Sequence, residues 1–236
     1  MTEVMLYGIP VLLADIIALV WFVGLWACYS YYADYRRDSD VIMLVRVMYQ
    51  HRMNWMLEML KRDNRMVDAK VASNVMGSVT FFTSTTIFLL AGLLTMLTKG
   101  TEGLAILRQL PFVTTNSVVV WEAKVIVLMV VFIYAFFKFT WAMRQFNYTS
   151  ILIAGAPIIR EDNKRAHKHA ERITKMLSIA AANFNNGLRG YYFGLAALSW
   201  FIHPTLFMGA TAWVVYVLFR REIRSKTLKI LLEDIS

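Results

Sequence analysis

The chain has 236 residues, of which 58% are hydrophobic and only 17% charged, with a net charge of +9. Soluble domains carry about 25% charged and about 45–50% apolar residues, so this balance excludes a soluble globule, and such hydrophobicity excludes a disordered chain. A single cysteine, Cys28, excludes an internal disulfide framework and any multi-thiolate metal site.

The first apolar run covers residues 6–33. Glu3 is the only charge before it, and no basic start or small-residue cleavage site marks a secretory leader, so it reads as a retained membrane helix. Residues 71–97 and 118–141 are also long enough for one crossing, which takes about 20 residues. Backbone groups in lipid must be satisfied within a helix or a closed barrel, so no open sheet is expected. From 180 to 219 the chain is nearly uncharged apart from Arg189, and His203-Pro204 interrupts it. Proline opens helices and disfavours helix in the residue before it. The stretch therefore divides into segments 181–201 and 205–219.

Loop charge chooses five segments over the alternative of four. Basic residues crowd three regions: between the first two segments (Arg36 to Lys70), after the third (Arg144 to Lys175), and in the tail (Arg220 to Lys229). Positive charge stays cytoplasmic, and all three regions share one side only if the last stretch crosses twice. The expected fold class is an all-α polytopic helix bundle, one membrane domain over 1–236. Its N-terminus lies outside and its C-terminus in the cytoplasm, in a plasma membrane or a bacterial inner membrane.

Three stretches outside the spans read as amphipathic cytoplasmic helices lying in the interface: 41–62, 163–180 and 220–235. In the first, Arg46, Gln50, Asn54 and Glu58 recur at steps of four, although Arg52 interrupts the apolar side. In the second, Ala166, Ala170, Ile173, Leu177 and Ala180 lie beside a basic face. Such helices are drawn to membranes by apolar area and anionic lipid, so the expected partners are membrane lipids with anionic headgroups. Nucleic acid is not expected, because no binding motif occurs and the basic clusters adjoin spans.

Several stretches are distinctive: Asn64-Arg65 with Asp68, the run Ser78 to Thr86, and Phe184-Asn185-Asn186-Gly187-Leu188-Arg189-Gly190-Tyr191-Tyr192-Phe193. With Trp200-Phe201 and Arg220-Arg221-Glu222, they make the chain resemble the membrane-protein family catalogued as domain of unknown function 599. The resemblance runs over nearly the whole chain. It implies a multi-span membrane protein and no established chemistry.

Among single residues, Asp15 lies within the first span, where an ionisable group costs at least about 2.5 kcal/mol unless paired or hydrated. It is either a proton or cation site or a structural partner for another span. Arg189, with Asn185 and Asn186, could hold an anion or lipid headgroup, or Arg189 could snorkel. Ser73, Gly77, Thr80 and Ser84 form one stripe of the second span, and Gly190 with Gly194 a seam in the fourth segment. Both read as close helix packing. Glu122 and Lys124 flank the outer end of the third span and are expected to snorkel.

His167 and His169 sit about 200° apart on a helix, and the 14 methionines do not converge, so no metal site or cofactor is expected. Neither a phosphate loop nor a nucleophile elbow nor a paired-carboxylate site occurs, and an enzyme is not expected. The preferred function is an interaction or accessory subunit of a larger membrane assembly, with lipid binding included. The alternative is a homo-oligomeric channel or transporter using Asp15 and Arg189.

Overall fold

The computed structural model describes residues 3–6, 9–35, 44–107, 109, 117–161, 163–223 and 226–233. They are mainly helical. A small antiparallel hairpin, β1 (Glu3–Leu6) and β2 (Ile9–Leu12), pairs Glu3 with Leu12 and Leu6 with Ile9. The first apolar run therefore opens in extended backbone, against expectation, and helix α1 starts only at Leu13 (Leu13–Tyr35). Pro10 supplies the reason: it lacks an N–H and biases Ile9 towards extended conformations.

Helices α2 (Leu44–Lys61), α3 (Met66–Thr98), α4 (Gly100–Leu107) and α5 (Val118–Ala154) follow. Then come α6 (Lys164–Leu198), a 3-10 turn (Ser199–Phe201), α7 (Pro204–Ile223) and α8 (Lys226–Glu233). Short polar side chains start two of the long helices. The Asn64 side-chain oxygen accepts from Met66 N at 2.9 Å, and that of Asn163 accepts from Arg165 N and Ala166 N, each at 3.0 Å. Among the described residues, three helices are long and apolar enough to cross a membrane: Leu13–Ala33 within α1, α3, and α5.

The helix bounds change two expectations. Helix α6 is unbroken over 35 residues, so the expected helix 163–180 and the expected segment 181–201 are joined in one helix as far as Leu198. Nothing between Ala180 and Ala181 could break it, since alanine is the strongest helix former. In the tail, α7 runs on to Ile223 and α8 is a distinct element. Positions 36–43, 224–225 and 234–236, over which parts of the expected helices 41–62 and 220–235 fall, lie outside the described residues.

Packing divides the chain into two compact units: residues 1–40, 87–134 and 189–221, and residues 41–86, 135–188 and 222–236. The first has an aromatic core. Phe22 sits 5.7 Å from Phe193 and 5.1 Å from Phe207, Trp26 stacks on Phe193, and Trp200 stacks on Phe207. A Cβ added to Gly194 would lie 2.9 Å from the Phe132 ring, so glycine there permits a close approach.

In the second unit, Met56, Met59 and Leu60 of α2 pack with Ile153 of α5 and Ala166, Ala170 and Ile173 of α6. The apolar sides of α2 and of the first half of α6 thus face protein, and neither is free to lie in lipid. Arg52, the interruption on α2, is half-buried and donates to Ser178 Oγ at 3.3 Å. Burial lowers its pKa, yet a guanidinium stays charged. Arg65 closes the end of α5 by donating to the carbonyls of Ile153 (3.1 Å), Ala156 and Pro157 (3.0 Å), a cation where orphan carbonyls and the helix dipole favour one. Asp68 is fully buried and accepts from Trp55 Nε1 at 2.6 Å and Arg62 Nη1 at 2.9 Å.

The glycines give a direct test of this packing. A Cβ at Gly187 would collide with the ring of Phe139, which is itself buried and stacked on Phe82, whereas a Cβ at Gly77 would meet nothing within 4 Å. Gly187→Ala is expected to destabilise by about 1–3 kcal/mol through overpacking. Gly77→Ala is expected to leave stability unchanged or raise it by up to about 1 kcal/mol, because alanine forms helix better than glycine. Thermal unfolding in detergent checks both.

Candidate functional site

Asp15 falls in the first turn of α1, where a helix N-terminus favours negative charge. Its side chain is 5% exposed and that of Lys124, from α5, is 1% exposed. The Lys124 ammonium lies 3.0 Å from Asp15 Oδ1. Trp200, in the 3-10 turn after α6, joins both groups: its Nε1 donates to the same Asp15 oxygen at 2.7 Å, and its carbonyl accepts from Lys124 Nζ at 3.2 Å. The ammonium also sits 5.3 Å from the centre of the Trp200 ring, within range for a cation–π contact. All three belong to the first unit.

Lys124 therefore does not snorkel from the edge of its span, as its position in the sequence implied. A buried carboxylate with matching hydrogen bonds offers it a counter-charge, which offsets desolvation that an isolated ammonium could not bear. Lys124 and Trp200 are the residues that sequence reasoning left out of the site. The available signal was that a buried acid needs a base at matching depth, and Lys124 is the basic residue near the corresponding end of its helix.

Arg189 is also buried, with its guanidinium 5.2 Å from the centre of the Tyr29 ring. Tyr29 lies fourteen residues beyond Asp15 on α1, about 21 Å at 1.5 Å per residue. Between them on the same helix stand Ala18 and Phe22, both in the aromatic core. Asp15 and Arg189 consequently form two separate centres and not one combined ligand site. Asn185 is exposed and Asn186 half-buried. Both belong to the second unit, where Asn183 Nδ2 donates to Gln145 Oε1 at 2.8 Å.

The expected packing stripe on α3 divides differently. Ser73, Gly77, Thr80 and Ser84 are all exposed, and the buried side of α3 is instead Ala72, Val79, Thr83, Thr86 and Leu93. The threonine hydroxyls there bond to their own helix, Thr83 to the Val79 carbonyl at 2.8 Å and Thr86 to that of Phe82 at 2.6 Å. That satisfies these hydroxyls on the buried side. Gly190 is buried, and Gly194 lies beneath Phe132.

Among the described residues, no group of three or more His, Cys, Asp or Glu side chains is placed to hold a metal ion. The second unit has a cavity of about 320 Å³ lined by Asn54, Leu57, Glu58, Lys61, Ile159 and Glu161. Two of its charges, Glu58 and Lys61, pair with each other at 2.7 Å.

A family model described as protein of unknown function, DUF599, matches residues 17–227. The chain belongs to that family. Lys124, Trp200 and Arg189 fall within the matched span, and Asp15 lies two residues before it. No curated protein and no solved structure matches the chain.

If Asp15 and Lys124 neutralise one another in the core, removing either one takes this counter-charge from the other. Asp15→Asn and Lys124→Met are each expected to destabilise the protein by about 3–5 kcal/mol. The double variant is expected to recover much of that loss, because asparagine still accepts from Trp200. A double-mutant cycle on unfolding free energy measures the coupling.

Proposed function

We propose that the protein is a non-catalytic, multi-pass subunit that binds other chains within a membrane assembly. The carrying observation is the aromatic cluster of Phe22, Trp26, Phe193 and Phe207, which occupies the first unit between the Asp15 and Arg189 centres. A solute moving between those polar groups would need a continuous polar lining, and the aromatic core argues against one. Asp15 and Lys124 answer each other's charge, which supports a structural role over catalysis.

In this reading α6 from about residue 181 and α7 supply the fourth and fifth membrane segments, with the N-terminus outside. Arg220 and Arg221, exposed in the last turn of α7, then meet anionic cytoplasmic headgroups.

A second reading, a homo-oligomeric channel or transporter, draws on one observation: the exposed Ser73, Gly77, Thr80 and Ser84 of α3 could line a pore on a symmetry axis. Two measurements separate the readings. Native mass spectrometry after gentle detergent release is expected to find other chains at fixed stoichiometry. Proteoliposomes are expected to pass protons and small cations no faster than protein-free vesicles. A closed homo-oligomer with flux abolished by Thr80→Val would reverse the order.

A further inference from the structure

We infer that the exposed basic face of the first half of α6 docks an acidic segment of a partner protein. The inference rests on the subunit reading above and names the chemistry of its partner. At 100° per residue, Lys164, Lys168, Glu171, Arg172 and Lys175 fall within an arc of about 100°, and Arg165 widens it to about 120°. All six are exposed. Ala166, Ala170, Ile173 and Leu177 lie on the opposite side and are buried. The face thus presents five cations and one anion. That anion, Glu171, is bonded to Lys175 at 2.6 Å. The hydrogen bond and charge of Lys175 hold the Glu171 carboxyl below its usual range, and Glu171 raises Lys175 in return. Among the described residues, Lys164, Arg165, Lys168 and Arg172 make no ion pair.

Geometry favours a protein over the bilayer as the source of negative charge. The buried apolar side cannot insert into lipid, so the lever that holds an amphipathic helix in an interface is absent. Because α6 is unbroken, Lys164 stands seventeen residues before Ala181, about 25 Å along the helix axis. Headgroups add only about 5–8 Å beyond the hydrocarbon, and charge is screened within about 8 Å at physiological ionic strength. Lys175 is near enough to reach headgroups, while Lys164, Arg165 and Lys168 stand clear of them. An acidic peptide lying along the helix meets all of these side chains at once.

The test uses the full chain in nanodiscs of zwitterionic lipid and a fluorescent glutamate-rich peptide. Binding is expected, weakening steeply with salt, and the affinity is expected to fall at least about tenfold in Lys168→Glu/Arg172→Glu. Both positions are exposed, so an unchanged melting temperature confirms that the variant folds. Three results would overturn the inference: no binding by the wild-type chain, equal binding by the variant, or loss of binding when anionic lipid enters the same disc. The last would assign the face to its own bilayer. Co-purification separates this inference from the subunit reading. Partners that persist on the variant would leave the subunit reading intact and remove this face from it. Peptide binding by a chain that carries no partners in cells would do the reverse.

Discussion

A carboxylate and an ammonium both removed from water constrain the first unit more than any other feature. Either charge alone would cost several kcal/mol in an apolar environment. Together, at 3.0 Å and tied through Trp200, they fix which turn of α1 meets which turn of α5 and where the chain leaves α6. Apolar packing does not specify register so tightly, because one aromatic contact can substitute for another. A buried ion pair adds little net stability over a hydrophobic pair of equal size, but it penalises every register in which the two groups are parted. The Phe22, Phe193 and Phe207 contacts then pack around a frame already set.

The second unit solves a similar problem with helix ends. Three carbonyls at the end of α5 converge on Arg65, and Asp68 at the start of α3 takes the indole of Trp55 and the guanidinium of Arg62. The Arg65 contacts satisfy carbonyls that the end of α5 leaves open, and the Asp68 contacts tie the end of α2 to the start of α3. They hold the turn between α2 and α3 so that the apolar sides of α2 and α6 can close on one another. Covering those sides leaves the basic residues of α6 as its outward surface.

The class of protein was legible in the sequence because composition and run length report directly on solvent. The family was legible in the stretch around Asn186 to Tyr192. Proline made the turn before α7 visible, since Pro204 cannot continue a preceding helix. Other features needed coordinates. Nothing local tells a lysine near a helix end that it has a carboxylate across the bundle, so Lys124 read as a snorkelling edge charge. A basic, amphipathic stretch has the same periodicity whether its apolar side meets lipid or protein, and so 163–180 read as an interfacial helix. The α3 stripe is exposed on the single chain, and the same ambiguity applies to it. Small polar residues mark a helix surface that permits close approach, and sequence does not say whether a neighbour takes the offer.

The Asp15–Lys124 pair sits sealed in the core, as a structural clamp and not as a station on an aqueous path. Ala18, one turn beyond Asp15 on α1, is fully buried in the same core. Ala18→Cys in a Cys28→Ser background adds one small thiol there, and a membrane-impermeant maleimide applied from each side in turn reports whether water reaches it. No labelling is expected from either side, under conditions in which a cysteine at the exposed position of Lys99 reacts fully. Labelling of Cys at position 18 at a comparable rate, with the fold intact, would contradict it.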